Sequence, residues 1–315
     1  MTPLLQTLRP CELDPLPAEQ RWLVEGLWAQ QAVGIVGGEP KCCKSFLALD
    51  MALAVASGAP CLRRYPVAQT GPVVLFAAED PLYTVRERLE SIARAAAVSF
   101  AALDIHVVTV PTLRIDIERD RQRLTDTVSM LRPRLLVLDP FVRLHRVDEN
   151  AAADVAPLLA YLRGLQRHFH TAVLLVHHAR KSSHVRAGQA LRGSSELHAW
   201  GDSNLYLRRV REQLWLSIEH RAAPCTPALA AELHAERDAV ALRIVNPQPL
   251  SETPRNAPAP PTERILQALA SAAQPMTRRA LREACRMRAA SVGEALTTLL
   301  DQGAIVEDIG GFRIA

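Results

Sequence analysis

Four stretches of the chain are apolar almost without interruption, and the first three each lead into a longer stretch in which apolar residues recur every three or four positions. "AVGIVGG" (32–38) leads into "KSFLALDMALAVASG" (44–58), "PVVLFAAED" (72–80) into "LYTVRERLESIARAAA" (82–97), and "RLLVLDP" (134–140) into "AAADVAPLLAYLRGLQRHF" (151–169). "TAVLLVHH" (171–178) closes the series. Strands that are apolar throughout lie between two covered faces, so this rhythm predicts an α/β domain with a mostly parallel sheet and helices on both sides. After residue 200 the rhythm changes to "SNLYLRRV" (203–210), "EQLWLSIEH" (212–220) and "AVALRIV" (239–245), short strands that predict an antiparallel extension of the same sheet.

The pattern breaks at "NPQPLSETPRNAPAPP" (246–261), whose six prolines fit neither a helix interior nor a central strand. The expected division is a domain over 1–245, a linker over 246–261 and a small module over 262–315. In the module, "TERILQALASA", "TRRALREAC" and "RAASVGEALTTLLDQG" read as three helices, with Thr277 as an N-cap, and "AIVEDIGGFRIA" as a hairpin turning at Gly310 and Gly311. Three helices and a hairpin resemble a winged helix-turn-helix.

Composition narrows the classes. Hydrophobic residues are 49% and charged residues 22% of 315, with no apolar window long enough for a membrane span. The first residues carry Arg9, Glu12 and Asp14 and lack the apolar stretch of a signal peptide, so a cytoplasmic protein with no membrane partner is expected. Cysteines at 11, 42, 43, 61, 225 and 285 include no C-x-x-C pair and predict neither a zinc site nor a disulfide framework. A net charge of +4 permits a nucleic-acid partner without requiring one.

The candidate chemistry begins at "GGEPKCCKSF" (37–46). The phosphate-loop pattern G-x-x-x-x-G-K-[ST] is met at Gly38, Lys44 and Ser45 and missed at Cys43, which stands where the pattern has glycine. Its setting, a strand ending in glycines and running into a helix, aims backbone N–H groups and a helix dipole at a phosphate. The loop Gly38, Glu39, Pro40, Lys41, Cys42, Cys43, Lys44, Ser45 and Phe46 is the expected ATP site, with Lys44 on the β- and γ-phosphates and Ser45 on Mg²⁺. Cysteine is small, and at position 43 its Cβ imposes little strain if the backbone there is helical rather than left-handed. A thiol beside Lys44 and Lys41 at a helix start is expected to be unusually acidic. Two strand-terminal acids complete the set: Asp139, placed to hold the metal, and Glu79, placed to polarise a water.

"GGEPKCCKSFLALDMALAVASG", "VVLFAAEDP", "LLVLDPFVRLHRVDEN", "AVLLVHHARK" and "LRGSSELHAWGDS" follow one another in the order found in RecA-like ATPases, and the chain resembles in particular the RepA-type hexameric helicases of mobile elements, relatives of the DnaB helicases. The likeness spans roughly residues 20 to 222. It implies a ring, a hexamer, that hydrolyses ATP with Mg²⁺ and acts on DNA. It further implies that Lys44 and Ser45 are the Walker A residues, Glu79 the catalytic glutamate, Asp139 the Walker B aspartate and His178 the γ-phosphate sensor. His177, its neighbour in a strand, must face the other way.

In the family a neighbouring subunit supplies an arginine finger. Arg192 and Arg221 are the candidates, with Arg221 preferred, because the family's finger position here holds Asp202. "RKSSHVRAGQALRG" (180–193) is the expected single-stranded DNA segment, through Arg180, Lys181 and Arg186. In the small module Arg286 and Arg288 precede the third helix and suit duplex phosphates, although seven arginines there meet six acidic residues. An ATP-gated regulator or adaptor that oligomerises without unwinding, and a nucleotide binder without turnover, remain open beside the helicase reading.

Overall fold

The structure is a computed structural model, and it describes residues 7–15, 17, 20–178, 195–224, 226–246, 261–272, 274–285, 287–308 and 310–315. The chain divides into two compact units, 1–247 and 248–315.

The larger unit is an α/β domain on a nine-stranded sheet. In chain order its elements are β1 (Trp22–Val24), β2 (Trp28–Ala29), β3 (Val33–Gly38), α1 (Lys44–Ser57), β4 (Val73–Ala77), α2 (Leu82–Ala95), β5 (Ile105–Val107), α3 (Glu118–Leu131), β6 (Leu135–Asp139), α4 (Ala152–Phe169), β7 (Ala172–His178), α5 (Ser195–Trp200), β8 (Ser203–Val210), β9 (Gln213–His220), β10 (Leu229–Glu236) and β11 (Ala239–Ile244). The strand order is β11-β10-β9-β8-β3-β7-β6-β4-β5, while β1 and β2 form a separate hairpin. From β8 to β5 every pairing is parallel, and β8 to β11 are joined antiparallel. The expected parallel sheet with an antiparallel extension is therefore present.

Alternation along the strands sorts the core into two layers. Val36, Leu75, Val137, Leu174 and Val176 face α1 and α2, with Leu47, Met51, Leu89 and Ile92 packed on them. Ile35, Val74, Phe76, Leu136, Leu138, Val173 and Leu175 face α3 and α4, against Leu124, Val128, Leu158 and Leu162. Helix α1 is buried on most of its surface, which its run of leucine, alanine and methionine allows, and it ends at Gly58, left-handed at φ 80°. Truncating a fully buried leucine in either layer, such as Leu175, is expected to cost about 2–5 kcal/mol.

The smaller unit contains α6 (Pro261–Ser271), α7 (Arg278–Ala284), α8 (Ala289–Asp301) and the hairpin β12 (Ile305–Asp308) and β13 (Gly311–Ile314). Ile265, Leu281, Leu296, Ile305 and Phe312 form its core. The Thr277 hydroxyl accepts from the Ala280 N–H at 3.3 Å, the N-cap that the sequence predicts. Among the described residues no helix is long and apolar enough to cross a membrane.

Candidate ATP site

The loop between β3 and α1 closes tightly on its own sheet. A Cβ at Gly38 would come within 2.2 Å of the Leu207 carbonyl oxygen on β8 and 2.7 Å of Cys42 Sγ, so only glycine fits there. Cys42 is buried, and its thiol donates to the carbonyls of Glu39 (2.7 Å) and Leu207 (3.3 Å). Lys41 and Cys43 both take left-handed backbone at φ 64°. Alternation of such conformations turns successive N–H groups into one concavity, the arrangement that receives phosphate.

The condition for an unstrained cysteine is not met here, and the expectation of an acidic thiol fails. Cys43, the residue preceding α1, is left-handed (φ 64°, ψ 24°) rather than helical, so its Cβ carries the strain that glycine avoids. Nor is either thiol acidified: burial raises the pKa of both Cys42 and Cys43 and outweighs the cations nearby, Lys44 for the first and Arg209, Lys44 and Arg88 for the second. The sequence shows the lysines but not the depth of the loop.

Lys44 is 5% exposed, and its Nζ donates to the Glu39 carbonyl at 2.7 Å, inside the curl of the loop. Burial lowers its pKa, and the negative charges of Asp139 and Glu79 act in the opposite direction. Asp139 ends β6 in the row of Leu135 and Val137, and His178 ends β7 in the row of Leu174 and Val176, so both share the face of α1. His178 lies in register with Gly38 and Asp139 with Ala77. Loop, acid and histidine thus meet at the C-terminal edge of neighbouring strands, where open α/β sheets bind ligands.

Burial pushes the Asp139 carboxyl up to about 6, a shift that Asp80 and Glu79 reinforce and that a hydrogen bond from Ser45 and the charge of Lys44 oppose. This edge therefore gathers acids faster than it neutralises them. Among the described residues no three His, Cys, Asp or Glu side chains are arranged to hold a metal by themselves. A hard divalent cation fits nevertheless, because the Ser45 hydroxyl and the Asp139 carboxylate are adjacent oxygen donors short of positive charge, and phosphate oxygens supply the remaining ligands.

Sequence reasoning missed two partners at this edge. Arg143 Nε donates to Glu79 Oε1 at 2.9 Å, and Arg88 pairs with Asp80 while lying over the Phe46 ring at 5.3 Å. The signal for Arg143 was its place four residues after Asp139 in "DPFVR"; pairing of β4 with β6 is what brings it to Glu79.

Arg221 is not at this edge. β9 runs antiparallel to β8, so Arg221 follows His220, the partner of Ser203, at the opposite end of the sheet. The length of β3, about 17 Å at ~3.3 Å per residue, separates it from its own loop. It is 3.2 Å from Asp202, which also pairs with Arg163 and accepts from the Val33 N–H at 3.2 Å. Asp202, where the resemblance expects arginine, therefore fastens the first residue of β3. Arg180, Lys181, Arg186, Arg192 and Arg286 lie outside the described residues. Arg288 is exposed at the N-cap of α8.

The AAA_25 family, an AAA domain, matches residues 3–184, more than half of the chain. The chain belongs to that family. The AAA_25 domain has the fold of the RadB recombinase crystal structure, with a TM-score of 0.51 at 15% identity, over 69% of this chain and 92% of that one. A KaiC-like protein from Pyrococcus horikoshii OT3 aligns with a TM-score of 0.48 at 12% identity, over 71% of this chain and 94% of that one.

Proposed function

We propose that the protein is an Mg²⁺-dependent ATPase that assembles into a ring, a hexamer, and acts on DNA as a helicase. The observation that carries the catalytic part is the meeting of Lys44, Ser45, Asp139 and His178 on one face and one edge of the sheet, with Glu79 close enough to act on the Lys44 charge. Loop N–H groups and the start of α1 hold the β- and γ-phosphates, and Lys44 reaches them from within the curl. Ser45 and Asp139 would hold Mg²⁺, which would supply positive charge against the phosphates. Glu79 takes the proton of the attacking water, and His178 donates to the terminal phosphate. Arg221, remote from its own loop, acts in trans on a neighbour's nucleotide, as an arginine finger does. Arg180, Lys181 and Arg186 grip single-stranded DNA through its phosphates.

A second reading draws on the smaller unit, taken as a winged helix. Arg278 lies over the Phe312 ring, Arg279 pairs with Glu283, Arg313 with Asp308, and Arg264 donates to the Cys285 carbonyl. So many internal engagements leave less charge for DNA and favour a module that docks protein, as in an ATP-gated adaptor. ATP hydrolysis with and without single-stranded DNA, on wild type and Glu79→Gln, with mass measured in ATP, separates the readings. Stimulation by single-stranded DNA and a ring-sized mass support the motor. Turnover with duplex binding and no strand separation supports the adaptor, and a monomer without turnover defeats both.

A further inference from the structure

On the other face of the sheet, opposite the phosphate loop, a polar cluster interrupts an otherwise apolar layer. His177 follows Val173 and Leu175 in the row that packs on α4. Below it lie Phe141, His145 and Glu149, from the segment that joins β6 to α4. The His145 and His177 side chains are each 1% exposed and that of Glu149 16%. Glu149 Oε1 is 3.5 Å from His145 Nε2 and 3.9 Å from His177 Nδ1, and the Phe141 ring packs 4.5 Å from the His145 ring and 6.1 Å from that of His177.

Burial opposes ionisation of Glu149, but the neighbouring imidazoles of His145, His177 and His178 hold its carboxyl below the ordinary range. A carboxylate kept charged in such a layer is costly to fold around, and an apolar side chain of similar volume would pack there more cheaply. Its position is informative: His145 belongs to the segment that begins at Asp139, and His177 is the residue before His178. One carboxylate therefore lies within 4 Å of an imidazole from each of the two segments that carry the proposed metal-holding acid and phosphate-sensing histidine.

We infer that Glu149 is a positioning residue for ATP hydrolysis: by holding His145 and His177 it fixes the ends of β6 and β7, and thereby the place of His178 on the opposite face. This rests on the reading of His178 as the γ-phosphate sensor. Glu149 touches no phosphate and sets how well the sensor meets one; misplacements of this kind cost roughly 10- to 100-fold in turnover without loss of substrate binding.

The test is a kinetic cycle on the full chain with Glu149→Gln, His178→Gln and the double variant, after thermal melts show that each is folded. Glu149→Gln is expected to lower kcat about tenfold while KM for ATP stays within about twofold, and the double variant is expected to lose no more than His178→Gln alone. If Glu149→Gln melts low, His145→Gln, which leaves Glu149 and His177 in place, enters the cycle with the same expectation. Wild-type kcat in the Glu149 variant, or losses that multiply in the double variant, overturns the inference while leaving the sensor reading intact. Wild-type kcat in His178→Gln overturns both.

Discussion

Replacing Cys43 by glycine separates what the sulfur contributes from what the backbone suffers. At φ 64° and ψ 24° the residue is left-handed, its side chain makes no capping hydrogen bond, and it is only partly buried against the α1 layer. A Cβ in that conformation costs about 1–2 kcal/mol. Glycine removes the cost but gives the unfolded chain more freedom, worth about 0.4–1 kcal/mol. It also gives up a small half-buried side chain, about 0.5 kcal/mol at ~25 cal/mol per Å². Cys43→Gly is therefore expected to fall between about 0.5 kcal/mol below wild type and about 1 kcal/mol above it. Cys43→Ala keeps the strain and loses the sulfur, so it is expected to fall about 0.5 kcal/mol below wild type. Cys43→Val adds β-branching to the strain and is expected to be the least stable of the three. Urea unfolding midpoints at constant slope measure this order. A glycine variant less stable than the alanine variant would refute the left-handed assignment, since no other property of glycine favours it here.

Further outcomes follow from the same edge of the sheet. Because the Asp139 pKa is raised to about 6 against an ordinary 3.8, its contribution to nucleotide-free stability is complete below about pH 4 and is lost as pH rises through 6. Asp139→Asn should gain on wild type in melts between pH 4 and 7, and Mg²⁺-dependent ATP affinity should weaken as pH falls below about 6, both readable by calorimetry. Lys44→Ala removes a charged hydrogen-bond donor from the phosphates and should weaken ATP binding about 10- to 150-fold in a direct titration. With both loop thiols raised in pKa, iodoacetamide at pH 7 should label exposed Cys11 before Cys42 or Cys43, and ATP·Mg²⁺ should slow the labelling of Cys43 further. Peptide mass mapping gives the order, and early labelling of Cys42 would contradict the burial.

The sheet and its reversal after residue 200 were legible because buried strands and amphipathic helices leave their period in the chain. Lys44, Ser45, Asp139 and His178 were legible for a related reason: Asp139 and His178 end strands, Lys44 and Ser45 follow the loop that leaves β3, and the strand ends of a parallel sheet share an edge. What the chain did not disclose depends on pairings between distant segments. The buried Cys42 thiol donates to the carbonyl of Leu207, 165 positions away. The partner of Glu79 is 64 positions away, and nothing at Glu79 itself calls for it. Arg221 reads as an ordinary post-strand arginine until the direction of β9 carries it to the far end. His145 and Glu149 read as a polar loop until β7 lays His177 beside them.

The fastening of the phosphate loop to β8 has a mechanical consequence. Leu207 touches the loop through Gly38 and Cys42, and every residue from Ser203 to Val210 is paired with one from His220 back to Gln213. That ladder contains no joint between the loop and Arg221. A shift of the loop on binding or releasing phosphate would travel along it as through a stiff rod and emerge at the opposite end of the sheet, at the arginine proposed to serve the next subunit. Firing in sequence around a ring would then need no separate messenger, because the strand pair that braces one nucleotide would also aim the finger at another.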